Sequence, residues 1–488
     1  MIINKEGEIC LRANREFRLD KFTTPEISAL QTAEQLREQL EATEGAEVRT
    51  QLAQIFDEAT FVEIGAYTKR SFSDFVMTEK MDELEGVICG YGAIDGKLAF
   101  AFAEDAQRLG GSIDDRHAKK IADLYALAVK NGAPVIGIFN STGADIFLGA
   151  ASLAAYGKII KAVNDASGII PQIAYVAGKC LGTAATIAAM FDFVIKAEGA
   201  DFYVTAPGLT GAENAQADKL SYVGDGAQCA GFIRALVSFL PENAAVGADV
   251  GECADNLNRM LGDLDFGGDA LSLIATVADN GVFYEIGHDN APALTTAFTT
   301  FGGVKCGVVA TSFAKNEGRL TALAAKKAAD FVAFCDMFSI PVVTLVDSYG
   351  LSAEKENEQA FADALARLAM AYASSENAKV TVICGHAIGA SFVLLGSKSL
   401  GADIVYATDN SEIGALSAES SVAFAWNRYV TEETKREALA EAWKASVASP
   451  VAAAATGEID DIISVNELRA RICSSLLMLS AKGKHLAL

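Results

Sequence analysis

The strongest constraint on the fold is an internal repeat with a spacing of 207 residues. The stretch GKCLGTAA begins at Gly178, the stretch GHAIGASF begins at Gly385, and each follows an apolar run. The same spacing relates AKKIAD at 118–123 to AKKAAD at 325–330. Chance matches would not keep one register over such an interval. The sequence therefore predicts that one structural unit was duplicated.

Each copy alternates short apolar runs with longer segments of helical spacing. The first copy has the runs PVIGIF and PQIAYVA, and the second has IPVVTLV and KVTVIC. This alternation predicts an α/β fold with βαβ crossovers and a mostly parallel sheet in each copy. We expect two domains, at residues 1–250 and 251–488. We also expect the segment before residue 46 and a last helix at 465–482 to lie outside the repeat.

Composition narrows the class of protein. The chain has 488 residues, of which 51% are hydrophobic and 21% charged, which is typical of a globular protein. Its net charge of −23 argues against nucleic acid as a partner, because phosphate contacts need clustered Lys and Arg. Nine scattered cysteines without a C-x-x-C motif, and no signal-peptide pattern, predict a reduced, cytoplasmic protein. Four histidines far apart make a metal site or a Ser-His-Asp triad a poor expectation.

The glycines at the two repeated turns admit two interpretations. A helix N-terminus presents unpaired N–H groups, and small residues there let a ligand approach the backbone. Two such donors could stabilise an oxygen that gains negative charge, with no catalytic side chain. Small residues also allow tight packing of a helix against a strand. The occurrence of the turn in both copies, each time after a strand, favours a functional role.

Eight stretches, in order along the chain, carry a resemblance to a known family: FVEIGAYTKRS, GVICGYGAIDGKLAFAFAED, GGSIDDRHAKKI, NGAPVIGIFNSTGADI, SGIIPQIAYVAGKCLGTAA, FCDMFSIPVVTLVDSYG, KVTVICGHAIGASFVLLGSKSLGADIVYA and GEIDDII. With them the chain resembles the carboxyltransferase subunits of biotin-dependent acyl-CoA carboxylases and decarboxylases. These include the propionyl-CoA carboxylase beta type and the glutaconyl- and methylmalonyl-CoA decarboxylase alpha type. The resemblance implies a tandem duplication of two crotonase-like (ClpP/crotonase) domains.

The resemblance also implies the roles of particular residues. The first domain would hold the acyl-CoA, with Gly182 and Thr183 donating N–H groups to the thioester oxygen as it becomes an enolate. The second would hold biotin, with Ala390 and Ser391, after Gly389, donating to its ureido oxygen. Six further positions match the family's acyl-CoA side and are expected to bind substrate: Gly111, Ser112, Lys120, Gly143, Ala144 and Lys179. For Lys179, a solvated surface lysine is the competing interpretation.

Several turns depart from the family's pattern. The usual SGGAR reads STGAD here, so that Asp145 stands in place of an arginine, and Thr183 replaces a glycine. Asp145 would repel a carboxylated acyl group if it lies in the site. A β-branched side chain at Thr183 would crowd the turn. Because of these changes, the sequence does not identify the acyl group of the substrate.

The leading hypothesis is a carboxyltransferase that moves a carboxyl group between an acyl-CoA and biotin, as the alpha subunit of an acyl-CoA decarboxylase. The chain has no Met-Lys-Met biotin-acceptor sequence, so we expect biotin on a separate carrier protein. The resemblance further implies a homodimer or higher oligomer, a membrane decarboxylase subunit as a partner, and no metal. Two alternatives stay open: a biotin-independent crotonase-like acyl-CoA enzyme, and a non-catalytic assembly subunit of a carboxylase complex.

Overall fold

The structure is a computed structural model that describes residues 47–71, 84–211, 217–248, 250–262, 268–480 and 482. Before residue 47 it describes three short strands and the single positions 35, 38 and 40. The chain divides into two compact units, Met1–Arg49 and Thr50–Leu488. The first contains an antiparallel sheet of β1 (Ile2–Ile3), β2 (Ile9–Leu11) and β3 (Arg15–Phe17).

The second unit contains the remaining strands: β4 (Val62–Ile64), β5 (Val87–Ile94), β6 (Lys97–Glu104), β7 (Val135–Phe139), β8 (Gln172–Val176), β9 (Lys179–Leu181), β10 (Phe193–Ala197), β11 (Asp201–Tyr203), β12 (Tyr222–Gly224), β13 (Phe283–Ile286), β14 (Leu294–Phe301), β15 (Val304–Thr311), β16 (Val342–Ser348), β17 (Lys379–Ile388), β18 (Ile404–Thr408), β19 (Glu412–Gly414) and β20 (Asp461–Ile463).

The described α-helices are α1 (Glu47–Ile55), α2 (Asp115–Asn131), α3 (Ala150–Ala166), α4 (Thr183–Ala188), α5 (Pro207–Thr210), α6 (Gly226–Phe239), α7 (Ala270–Val277), α8 (Ala322–Met337), α9 (Lys355–Ser374), α10 (Ala390–Leu394), α11 (Ala418–Ser421), α12 (Arg436–Ser446), α13 (Pro450–Ala454) and α14 (Leu468–Leu479). Short 3₁₀ turns lie at Leu109–Gly111, Ile146–Leu148, Ala217–Lys219, Asp279–Gly281, Asn316–Gly318, Lys398–Leu400, Asn427–Tyr429 and Val465–Glu467. One π-helical turn lies at Val422–Trp426.

The two main sheets have the same topology. The first runs β12-β10-β8-β7-β6-β5-β4, and the second runs β20-β18-β17-β16-β15-β14-β13. In each, two antiparallel strand pairs at one edge are followed by parallel pairs. Short accessory strands also correspond, since β11 pairs with β9 and β19 pairs with the end of β17. The two halves thus correspond strand for strand, as the duplication in the sequence predicts. The domain boundary at residue 250 stays a prediction.

The central strands are buried because helices cover the sheets. Every residue of β7, β8 and β16 is buried, as expected for parallel strands between helices. The helix α2 begins at a capped residue, since the Asp114 carboxylate accepts the N–H groups of Arg116 and His117. It ends at Gly132, which takes the left-handed conformation. Each sheet has its own apolar core.

Two expectations about the helices need correction. The last helix, expected outside the repeat, follows β20 as α6 follows β12, and it packs in the second core through Ile472 and Leu476. The helical spacing between the runs PVIGIF and PQIAYVA predicts a helix near 144–164, but α3 begins only at Ala150, because Asp145 caps a separate 3₁₀ turn by accepting the N–H of Phe147. Among the residues described, the helices are too short or too polar to cross a bilayer.

Candidate functional site

Two glycine turns of the same backbone geometry lie at equivalent places in the two sheets. Gly182 follows β9 and precedes α4 with φ 59° and ψ −125°, and Gly389 follows β17 and precedes α10 with φ 59° and ψ −127°. Residues with a side chain avoid these angles, so both turns require glycine. The N–H groups of the glycines are already bound, to the carbonyl oxygens of Tyr203 at 3.0 Å and Gly414 at 2.8 Å.

The residue after each glycine has an N–H group with no acceptor among the described residues. Thr183 and Ala390 begin α4 and α10, and the first N–H of a helix has no acceptor within the helix. Throughout the described ranges, these two N–H groups donate to no acceptor. The same holds for the N–H groups of Ala144 and Leu351, in the loops after β7 and β16. Each half therefore offers main-chain donors from two loops, which is what stabilises an oxygen that gains negative charge.

These contacts correct one predicted donor. The N–H of Gly182 is not available to a ligand, because it donates to Tyr203. Thr183 and Ala390 keep free N–H groups, and their roles stay predictions. Ser391 is buried in α10, where its hydroxyl donates to the carbonyl of Ile388 at 2.9 Å. The exposed side chain of Thr183 does not crowd the interior of the turn.

A second glycine before each turn makes room for a side chain from the neighbouring strand. A Cβ atom on Gly178 would lie 2.2 Å from Asn140 Oδ1, and one on Gly385 would lie 2.5 Å from Asp347 Oδ1. Asn140 Oδ1 accepts the N–H of the residue after Gly178 at 3.2 Å. Asp347 Oδ1 accepts the equivalent N–H in the second half at 2.9 Å. The paired glycines in the sequence thus serve two purposes, an unusual backbone angle and a close contact between strands.

The structure brings most of the predicted acyl-CoA residues to the first turn. Ser141 Oγ donates to the Gly111 carbonyl at 2.7 Å and accepts the N–H of Gly143 at 3.0 Å. The N–H of Ile113 donates to the Gly143 carbonyl at 2.9 Å. Ser141 also donates its N–H to the carbonyl of Lys179 at 2.8 Å. Gly111, Gly143 and Lys179, with their neighbours Ser112 and Ala144, therefore lie in connected loops, and their binding roles stay predictions.

The two predicted lysines have different surroundings. Lys120 is buried, and its ammonium group donates to the Val87 carbonyl at 2.5 Å. This placement does not suit the expectation that Lys120 binds substrate, because its charge is held in the interior by the main chain. Lys179 is exposed beside the first turn. A phosphate could reach Lys179 without disturbing the core.

Arg70 neutralises the unusual acidic residue of the first turn. Its guanidinium donates to Ser112 Oγ at 2.9 Å and to Asp145 Oδ2 at 3.3 Å, and its side chain is 1% exposed. Asp145 therefore does not present an unbalanced charge. Arg70 was missed as a site residue, although it lies in the stretch FVEIGAYTKRS. Nothing in that stretch indicates that its partner is 75 residues away.

A buried group of ionisable residues lies behind the first turn. His117 Nδ1 is 3.4 Å from Glu85 Oε1, and His117 Nε2 is 3.9 Å from Glu104 Oε1. Burial raises the pKa of Glu85, but the hydrogen bond and charge of His117 and the charge of Arg70 outweigh it and lower the pKa to about 2. Burial raises the pKa of Glu104 to about 7. Glu104 Oε2 accepts the N–H of Asn140 at 2.8 Å, so this group supports the turn directly.

The chain is similar over most of its length to proteins of a known family. The carboxyl transferase domain matches residues 43–218 and 218–487. The methylmalonyl-CoA decarboxylase subunit alpha of Veillonella parvula is 34% identical over 466 residues, which cover 90% of this chain and 91% of that relative. The propionyl-CoA carboxylase beta chain of Cereibacter sphaeroides is 33% identical over 466 residues, with the same two coverages of 90% and 91%.

A solved structure of transcarboxylase 12S, described as a hexamer assembly with methylmalonyl-coenzyme A and methylmalonic acid bound, is also similar. It has a TM-score of 0.85 and 29% identity, and the match covers 93% of this chain and 97% of that one. The family match spans both halves of the duplicated fold and both glycine turns. The chain belongs to the carboxyl transferase domain family.

Proposed function

We propose that this chain is the carboxyltransferase subunit that moves a carboxyl group between an acyl-CoA and biotin carried on a separate protein. The observation that carries the proposal is the pair of glycine turns with the same backbone, one in each half, each followed by a free N–H. Family membership supports it, since the relatives at 34% and 33% identity are named for methylmalonyl-CoA and propionyl-CoA.

Two turns suit a transfer between two carbonyl compounds. Moving a carboxyl group to or from the carbon beside a thioester places negative charge on the thioester oxygen. We assign this oxygen to the N–H groups of Thr183 and Ala144 in the first half. A preorganised donor of this kind contributes about 10²–10³ in rate, or about 3–4 kcal/mol. The loops supply orientation as well, because hydrogen bonds between Ser141, Gly111 and Gly143 fix them.

We assign the ureido group of biotin to the second half. A Cβ on Gly350 would lie 3.1 Å from the Ile388 carbonyl, and one on Gly389 would lie 3.3 Å from the Ala415 carbonyl. Both glycines therefore allow close packing against these carbonyls, and among the described residues the N–H groups of Leu351 and Ala390 that follow them have no acceptor. When bound, biotin supplies a ureido nitrogen that accepts or releases the carboxyl group. The residues of this chain would hold its ureido oxygen and orient the ring.

We assign the chain to the alpha subunit of an acyl-CoA decarboxylase, with carboxyl groups leaving the acyl-CoA. The test uses the purified chain with biocytin, a soluble form of biotin, and five CoA thioesters: acetyl, propionyl, malonyl, methylmalonyl and glutaconyl. We expect a carboxylated thioester to lose its carboxyl group only when biocytin is present. Chromatography of the thioesters measures this loss. Loss at the same rate without biocytin would contradict the proposal and favour a biotin-independent enzyme. No binding of any thioester in calorimetry would favour an assembly subunit.

A further inference from the structure

An aspartate and a histidine form a close pair immediately before the second turn. Asp347 Oδ1 lies 2.8 Å from His386 Nδ1 and also accepts the main-chain N–H of His386 at 2.9 Å. A carboxylate oxygen only accepts hydrogen bonds, so Nδ1 carries the hydrogen in this pair. The other ring nitrogen, Nε2, then holds a lone pair while the ring is neutral. In the described part of the chain, no protein group hydrogen-bonds to Nε2.

Aromatic neighbours fix the orientation of the ring. Phe313 stacks on His386 with ring centroids 4.9 Å apart and planes 22° apart, and the Tyr349 ring centroid lies 4.4 Å away. Asp347 is buried, while the His386 side chain is 22% exposed. The ring is therefore held at Nδ1 by Asp347 and packed against two neighbouring aromatic rings, whose own centroids are 5.5 Å apart, and the edge with Nε2 remains accessible. This arrangement is typical of a histidine that accepts or donates a proton.

Comparison with the first half shows that the turn does not need this pair. The positions equivalent to Asp347 and His386 are Asn140 and Lys179, and Asn140 Oδ1 makes the same main-chain contact at 3.2 Å. The two strand ends are also held in the same way. Thr311 Oγ1 accepts the N–H of Asp347, and Glu104 Oε2 accepts the N–H of Asn140. An amide is sufficient for the backbone. The aspartate–histidine pair is thus an addition in the second half.

The other ionisable groups near the ring have partners, apart from Glu419, which is exposed and acts on Tyr349. Glu412 lies opposite His386 in the strand register, where its carboxylate accepts the N–H of Ala418 and pairs with Lys444 at 3.6 Å. Burial, with the charge of Glu412 next, raises the pKa of Tyr349 to about 12, so this phenol is neutral. Beyond Tyr349, Arg319 pairs with Glu317 at 2.8 Å. Asp347 is the carboxylate that acts on the ring.

We propose that the Asp347–His386 pair accepts and returns the proton of an N–H group on the ligand held at the second turn. In the proposed function, on which this inference rests, the ligand is the ureido ring of biotin. The ligand's N–H bond breaks, its electron pair stays on the ligand nitrogen, and the proton moves to Nε2. The Asp347 carboxylate balances the resulting imidazolium. The freed electron pair forms the bond to the carboxyl carbon as that carbon's bond to the acyl-CoA breaks, and the imidazolium gives its proton to the resulting enolate or to water. The reverse step retraces this path, and nothing is oxidised or reduced.

The first test reads the histidine directly and needs no turnover. The full-length protein is treated with diethylpyrocarbonate, which acylates neutral imidazole, and the modified peptides are quantified by mass spectrometry. We expect biocytin to slow modification of His386 at least tenfold. His288 is the internal control, because its Nδ1 also pairs with a carboxylate, Glu285 at 2.7 Å, and its side chain is 60% exposed. Its modification should not change.

The outcomes of this test separate the inference from the proposed function. Biocytin that binds in calorimetry without protecting His386 overturns the inference and leaves the function intact. Absence of any biocytin binding contradicts the proposed function itself. Equal protection of His386 and His288 would show a general effect of the reagent mixture, and it would also overturn the inference.

The second test uses a variant. His386→Gln retains a hydrogen-bonding side chain but cannot take up a proton, so we expect the carboxyl-transfer rate to fall by about 10²–10⁴. The transfer rate of this variant should depend less on pH in the acidic range, while its affinity for biocytin changes less than threefold. His288→Gln should leave rate and pH profile unchanged. An unchanged rate and profile in a folded His386→Gln protein overturns the inference. If that variant does not fold, the protection experiment on the unmodified protein decides.

Discussion

At the scale of single residues, Gly182 is the position where the proposed function depends most directly on backbone geometry. Replacement by valine should reduce acyl-CoA turnover by at least about 10²-fold, because a side chain would disturb the turn that presents the Thr183 N–H. The turnover of Gly182→Val is measured beside its circular dichroism spectrum. The control is Gly457→Val, at a glycine that also has positive φ (82°) and open space around it.

Both substitutions place valine at a positive φ, so a fall in turnover common to both would mean that backbone strain alone is responsible. We expect Gly457→Val to retain its turnover. A folded Gly182→Val protein with normal turnover would remove Gly182 from the site.

The buried Arg70 should contribute strongly to stability. Arg70→Met removes the cation beside Asp145 and Glu85. Glu85 keeps His117 at 3.4 Å, but Asp145 loses its cation, and breaking a buried pair in this way typically costs about 3–5 kcal/mol. Urea unfolding measures the loss. Arg367→Met is the control, because Arg367 pairs with Asp363 on an exposed helix surface and should change stability by about 0.5 kcal/mol or less. Equal effects of the two variants would contradict the assigned role of Arg70.

Glu104 should make the protein less stable as the pH rises. Its pKa is raised from 4.5 to about 7 in the folded protein, so protonation favours folding, and this contribution is lost between pH 5 and 8. The difference between these two pKa values corresponds to about 3 kcal/mol in the free energy of unfolding. The side chain in Glu104→Gln is neutral at pH 5 and at pH 8. This variant should therefore lose less stability between the two pH values than the unmodified protein. Urea unfolding at the two pH values tests this, with the exposed Glu58→Gln as control.

The residues recognised from the sequence and those missed differ in the range of their contacts. Gly182 and Gly389 were predicted because a strand, a glycine and a helix follow one another within a few positions. Arg70 and Glu104 were not, because their partners lie 75 and 36 residues away, and sequence alone does not pair them. Lys120 shows the converse: a lysine that matches a family position is held by a buried carbonyl.

At the scale of secondary structure, α14 provides a test of the corrected repeat. Leu476 is fully buried in the second core, so Leu476→Ala should destabilise the protein by about 2–5 kcal/mol. Leu477, the next residue, is 39% exposed, and Leu477→Ala should cost less than about 1 kcal/mol. Denaturant unfolding compares the two. Similar small losses would mean that α14 is an appendage, as the sequence first indicated.

The strands were easier to predict than the ends of the helices. Continuous apolar runs such as PVIGIF identify buried parallel strands without further information. The start of α3 was misplaced because Asp145 caps a separate turn, and a single cap is a weak signal among many Asp residues. The role of α14 could not be deduced, since sequence similarity to α6 is lost while the place after the corresponding strand is kept.

At the scale of the whole molecule, the two halves keep one topology while their turns have different side chains. The first turn has Lys179 beside it, and the second has the Asp347–His386 pair. A difference of this kind is expected if each half binds its own ligand. A carboxyl group passes between the two ligands, so the two turns that form one site must face each other. We propose that they come from different subunits of an assembly with at least twofold symmetry.

Complementation between two inactive variants tests this arrangement. Gly182→Val should disable the first-half turn and Gly389→Val the second, so each protein alone should be inactive. The two are coexpressed, or unfolded and refolded together, and mixed dimers are confirmed by mass spectrometry. In a mixed dimer with sites shared between subunits, one site carries both lesions and the other carries neither.

Random pairing makes about half of the dimers mixed, and half of the sites in those dimers are intact, so about a quarter of the unmodified activity should return. Gly182→Val mixed with Gly457→Val is the reference, since a protein with two normal turns then supplies the activity. Sites contained within single chains give a different result, because each chain would keep its own lesion. No recovery in a sample that contains mixed dimers would therefore place each complete site within one chain.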